Sequence, residues 1–152
     1  MALYLVQHGK SLSKEIDPGQ GLSEEGAAET GRMAQLAIDL GLKVGGILHS
    51  GKARARQTAE ILAAVLDPAA SVKEAPGLNP LDDVVPWSSL NPGDRLLLVG
   101  HLPFMERLAG LLVTGSQGKL VIRFQNSGIV CLDREEGSAV WMIRWALVPR
   151  LG

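Results

Sequence analysis

The chain has 152 residues, 46% of them hydrophobic and 20% charged, a length that fills one domain, residues 1–152, and is too short for two. Its 15 Lys and Arg against 16 Asp and Glu give a formal net charge of -1, which offers no basic field for nucleic acid. The only cysteine, Cys131 in the apolar run GIVCL, excludes disulfides and cysteine metal frameworks and fits a reducing cytoplasm, where it fills core. No signal-like or bilayer-length apolar stretch is present, so the expectation is a cytoplasmic protein that engages no membrane.

In chain order, ALYLV at residues 2–6 is predicted as the first strand. Ser23 then caps a helix whose first turn carries Glu24 and Glu25, favourable at the positive end of the dipole. Met33, Leu36, Ala37 and Leu40 form its expected core face, and Gly41 stops it. A short strand, GGILHS, leads into a second helix from about Lys52 to Leu66, with Thr58, Ile61, Leu62 and Val65 facing inward and Pro68 closing it. A third strand is expected near Ser71 to Glu74. The Pro-, Asp- and Asn-rich stretch from Pro76 to Pro92 reads as a surface loop with one helical turn around Trp87. RLLLVGH is the most buried strand, and a third helix spans Phe104 to Thr114. GIVCLD and AVWMIRWAL, joined by the polar turn REEGS, form a hairpin. Apolar strands interleaved with helices predict an α/β fold of three layers, α/β/α. Its central sheet is mostly parallel with an antiparallel C-terminal edge.

All three histidines, His8, His49 and His101, fall at the carboxyl ends of predicted strands, the edge where open α/β sheets hold ligands. Arg54 lies four residues before Thr58, on the stripe the second helix turns inward. In the first turn of that helix it shares the sheet edge with free backbone N–H groups, a pairing that suits a phosphate-sized anion. Arg56, two residues on, belongs to the solvated face, as does Lys52.

LYLVQHGKS followed by LSEEG, LHSGKARARQTAE and LLLVGHLPFMERLA resembles the histidine phosphatase superfamily, the phosphoglycerate mutase-like proteins, and within it the short SixA-type phosphohistidine phosphatases. His8 and Gly9 match the R-H-G element of that family. Ser50, Arg54, Ala55, Gln57 and Thr58 match its S-x-x-x-R-A-x-Q-T element, and Gly100 and His101 its late G-H. Gln7 departs from it, standing where the family carries arginine. The resemblance implies a phosphoglycerate mutase-like fold and catalysis by His8, Arg54 and His101. His8 is then a nucleophile that accepts the phosphoryl group and yields it to water, with no metal or cofactor. Gln7, Gly9, Arg54 and His101 would hold the phosphate, His101 as a cation or an N–H donor. Lys10 is the candidate to replace the charge missing at Gln7.

Larger members of the superfamily use a carboxylic acid to protonate an alcohol leaving group; here Asp82 and Asp83 in EAPGLNPLDDV are the possible acids. A phosphohistidine needs less help, because its imidazole leaving group departs readily. The expected partner is therefore a phosphohistidine-containing protein such as a histidine phosphotransfer domain. Two alternatives keep the same fold: a general small-molecule phosphomonoesterase, and a non-catalytic phosphate- or phosphoprotein-binding module. A third is a metal site of His8, His49 and His101, which the neighbouring charge of Arg54 opposes.

Overall fold

The computed structural model describes residues 1–69, 71–89 and 93–152. Six strands, β1 (Ala2–Gln7), β2 (Gly46–His49), β3 (Val72–Glu74), β4 (Leu96–Gly100), β5 (Ile129–Asp133) and β6 (Met142–Leu147), form one sheet in the order β3-β2-β4-β1-β5-β6. The pairs β3/β2, β2/β4 and β4/β1 are parallel, whereas β1/β5 and β5/β6 are antiparallel. The helices are α1 (Glu24–Asp39), α2 (Ala53–Leu66), the single turn α3 (Val85–Ser88) and α4 (Phe104–Thr114). Among the described residues no helix is long and apolar enough to cross a membrane.

Two apolar layers sandwich the sheet. Leu3, Leu5 and Leu98 face α4, where they meet Phe104, Met105 and Leu108. The alternate residues Tyr4, Val6, Leu97 and Val99 face α1 and α2. This alternation along strands buried on both sides is why the sequence reads as unbroken apolar runs. Cys131 lies in the second layer, 2% exposed, and burial pushes its thiol up to about 11.

The helix faces differ from the spacing-based expectation. On α1, Met33, Ala34 and Ala37 are buried, but Leu36 is 42% and Leu40 66% exposed. On α2 the buried set is Ala55, Thr58, Ala59, Leu62 and Leu66, with Ile61 and Val65 only half-buried. Small residues from both helices share one core cluster, and alanines let the helices approach each other closely while larger side chains fall at the margins. Ser23 caps α1 as expected, its Oγ accepting from the Gly26 N–H at 3.0 Å. The expected surface loop at 76–92 contains α3 at the expected place; its positions 90–92 lie outside the described residues.

Candidate active site

Gln7 pairs with Gly100 in register across β1 and β4, so His8 and His101 leave neighbouring parallel strands side by side. The His8 N–H donates to the Gly100 carbonyl at 3.0 Å, extending the ladder one residue past the strand. The two rings stand 5.1 Å apart between centroids, tilted by 55°.

His8 Nδ1 lies 2.7 Å from the Gly9 carbonyl, which can only accept, so Nδ1 carries the proton. The lone pair is therefore on Nε2, where Arg54 donates its Nε–H at 3.3 Å. Burial, opposed by the Gly9 hydrogen bond and reinforced by the Arg54 charge, holds the His8 pKa below its ordinary value. The result is a neutral imidazole whose free nitrogen faces a guanidinium. Partial burial of Arg54 lowers its own pKa, yet an arginine remains charged.

His101 is 1% exposed, and burial, with smaller contributions from His8, Arg54 and Lys52, drives its pKa to about 3. At neutral pH it is a hydrogen-bonding group and not a cation. Its Nε2 lies 2.6 Å from Ser50 Oγ, and its buried Nδ1 has no partner. Ser50 Oγ also accepts the Lys52 N–H at 3.4 Å; a Ser50 hydroxyl that donates to His101 Nε2 puts the imidazole proton on Nδ1. Ser50 thus orients His101, a role the motif alone did not reveal.

Other residues hold the nucleophile loop. Thr58 Oγ accepts from the Gly9 N–H at 2.9 Å and donates to the Arg54 carbonyl at 2.7 Å, tying the loop after β1 to the first turn of α2. The Asn126 amide donates to the His8 carbonyl at 2.8 Å. Thr58 stands in the sequence motif; Asn126, 118 residues from His8, carries no signal there.

A Cβ on Gly9 would lie 2.8 Å from Thr30 Oγ and 3.0 Å from Ser127 Oγ, so the glycine makes room for α1 and the turn before β5, and its N–H is spent on Thr58. Lys10 does not reach towards Gln7's missing charge: its Nζ pairs with Glu25 at 2.7 Å. Gln7 Oε1 is buried and accepts no hydrogen bond among the described residues. His49 stands apart from the other two histidines, its Nδ1 accepting from the Gly51 N–H at 3.0 Å and capping the turn into α2. Arg56 is about half exposed and lies 3.7 Å from Glu60.

Two grooves are lined by residues next to the histidine pair. One includes Arg54, whose Nε–H contacts His8, together with Lys14, Gln20, Lys52, Asn79 and Asp82. The other is lined by Gln7 and Leu102, the chain neighbours of His8 and His101, with Lys10, Arg123, Asn126 and Arg150. Asp82 faces the first groove, but its Oδ2 accepts from the Asn79 N–H at 2.8 Å. Asp83 is not part of that lining; its Oδ1 accepts from the Val85 N–H at 3.0 Å at the start of α3.

No family model matches the chain. An uncharacterized protein of Picosynechococcus sp. is 35% identical over 142 residues, covering 87% of this chain and 84% of that protein. Among solved structures, the protein histidine phosphatase SixA complexed with tungstate is similar at TM-score 0.85 and 24% identity, over 98% of this chain and 97% of its own. A candidate phosphohistidine phosphatase SixA from Agrobacterium tumefaciens is similar at TM-score 0.77 and 26% identity, over 97% of each chain. A candidate alpha-ribazole-5'-P phosphatase from Escherichia coli has TM-score 0.77 at 17% identity, covering 100% of this chain and 99% of that one.

Proposed function

We propose that this chain, with the phosphoglycerate mutase-like fold of the similar solved structures, is a member of the histidine phosphatase superfamily and a phosphohistidine phosphatase that uses His8 as nucleophile and requires no metal. The observation that carries this reading is the hydrogen-bond set of His8. Its proton is committed to the Gly9 carbonyl, so the Nε2 lone pair is the one available for attack, and Arg54 sits on that nitrogen.

In the first step a bond forms between His8 Nε2 and phosphorus while the bond from phosphorus to the substrate's imidazole nitrogen breaks; the leaving imidazole, protonated from solvent on its other ring nitrogen before the transfer, departs neutral. Arg54, displaced from Nε2 by the incoming group, moves onto the phosphoryl oxygens, and the unpartnered Nδ1–H of His101 donates to another. Water then attacks phosphorus, the Nε2–P bond breaks and phosphate leaves. The binding of tungstate by a similar protein fits a pocket for tetrahedral oxyanions.

The leaving group favours a phosphohistidine protein, such as a histidine phosphotransfer domain, over a sugar phosphate. Both Asp82 and Asp83 accept hydrogen bonds from their own loop, and an N–P bond makes little demand on a protein acid. The test is incubation with a phosphorylated histidine phosphotransfer protein, following loss of substrate label and acid-labile label on the enzyme. The natural protein should turn over and label, and His8→Ala should do neither. Label retained by His8→Ala overturns the nucleophile. Faster turnover of a small phosphoester would make the protein a phosphomonoesterase, and binding without turnover would make it a recognition module.

A further inference from the structure

In contact with the nucleophile the resting site holds little positive charge for the group it is read to bind, Lys52 acting on His101 from the Arg54 groove. A phosphoryl group brings about two negative charges, whereas His8 and His101 are both held neutral and Gln7 is an amide. Among the described residues Arg54 is then the one permanent charge hydrogen-bonded to the nucleophile, and it stands on the side of the α2 groove. On the side of Gln7, three cations line the second groove: Lys10, Arg123 and Arg150. Two are already committed. Lys10 and Arg150 share the Glu25 carboxylate at 2.7 and 2.8 Å, and Arg150 also approaches the buried Glu29 at 3.5 Å.

Resting on the phosphatase reading above, we propose that Arg123 is the second phosphate-binding cation of this site, working with Gln7 as a two-residue substitute for a single charged side chain at position 7. Arg123 is exposed in the Gln7 groove and has no hydrogen-bond or ion-pair partner among the described residues. Its backbone is anchored on the way to the reacting residue. Phe124 is 5% exposed in the core beside it, and Asn126 both bridges to Gln7 and holds the His8 carbonyl. The chain thus fixes the root of the side chain on the Gln7 groove, with its head exposed. Gln7 Oε1 lacks a donor, and a guanidinium has donors on more than one edge. Swung in over Gln7, Arg123 gives one N–H to that oxygen and presents the others to the phosphoryl oxygens.

Orthovanadate affinity, read by calorimetry, tests this without requiring turnover, together with kcat/KM on a phosphohistidine protein. Arg123→Gln should weaken orthovanadate binding and lower kcat/KM by ~10-fold each, the scale of one lost charge-assisted contact. Lys119→Gln, an exposed cation on the same connecting segment, should change neither. Adding Gln7→Arg to Arg123→Gln should restore most of the vanadate affinity, because the charge is returned from the other residue of the pair. Unchanged vanadate affinity in Arg123→Gln overturns the proposal, even if the protein substrate is turned over more slowly, since that pattern belongs to a docking arginine. A loss that Gln7→Arg does not repair also overturns it. Inactivity of the natural protein would count against the phosphatase reading alone, because vanadate binding is measured separately.

Discussion

Arg54 and Arg56 leave α2 two residues apart and meet different surroundings. Arg54 is half-buried with its Nε–H on His8, whereas Arg56 is about half exposed beside Glu60. Removing a charged donor from an anion site costs about 1.5–3 kcal/mol, and removing a solvated helix charge costs about 0.5 kcal/mol or less. Arg54→Ala should therefore weaken orthovanadate binding by at least ~10-fold while Arg56→Ala leaves it within ~2-fold. Equal effects in the two variants would mean that both side chains reach the anion. The contrast was readable from helical spacing, since two residues turn a helix by more than half a revolution. The fate of Lys10 was not. Its partner Glu25 is 15 residues away on the first turn of α1, and only the folded path of the intervening loop brings them together.

At the level of elements, the loop after β1 is held by packing as much as by hydrogen bonds. Gly9 fits against Thr30 of α1 and Ser127 before β5, two buried hydroxyls bonded to each other at 2.8 Å. Gly9→Ala forces a methyl group into that contact and should destabilise the protein by about 1–3 kcal/mol, as overpacking does, measured by urea unfolding. Because Gly9 also accepts the His8 proton bond, the same variant should lose activity; natural stability and activity would show that the loop yields freely. Strand positions and the extent of α4 were legible because continuous apolar runs and a clean helical period each leave one reading. The inward faces of α1 and α2 were not. Spacing ranks leucine above alanine as a core residue, but the α1 core face and its neighbour α2 meet through Ala34, Ala37, Ala55 and Ala59, a preference set by how near the two axes come.

Taken as a whole, the molecule buries histidines in their neutral form, and this links its stability to pH. The pKa of His101 falls from an ordinary 6.5 to about 3, and those of His8 and His49 are also lowered. The unfolded chain takes up these protons below pH about 6.5 while the folded chain refuses them. Stability is therefore fully present above that pH and falls as pH drops towards about 3, by about 1.4 kcal/mol per pH unit for His101 alone. Urea unfolding at pH 6.5 and 5.5 should show this loss, and His101→Asn should show a smaller one; equal slopes would mean that His101 is not buried neutral. The position of the two histidines has another consequence. They hang from β1 and β4, which pair at the middle of the sheet, so their separation is set by the ladder of the two strands and not by the reach of a loop. Sub-global fraying can open the outer strands and the long connections without parting the pair. The spacing of the two rings therefore outlasts local opening at the edges of the sheet and persists as long as the central hydrogen bonds do.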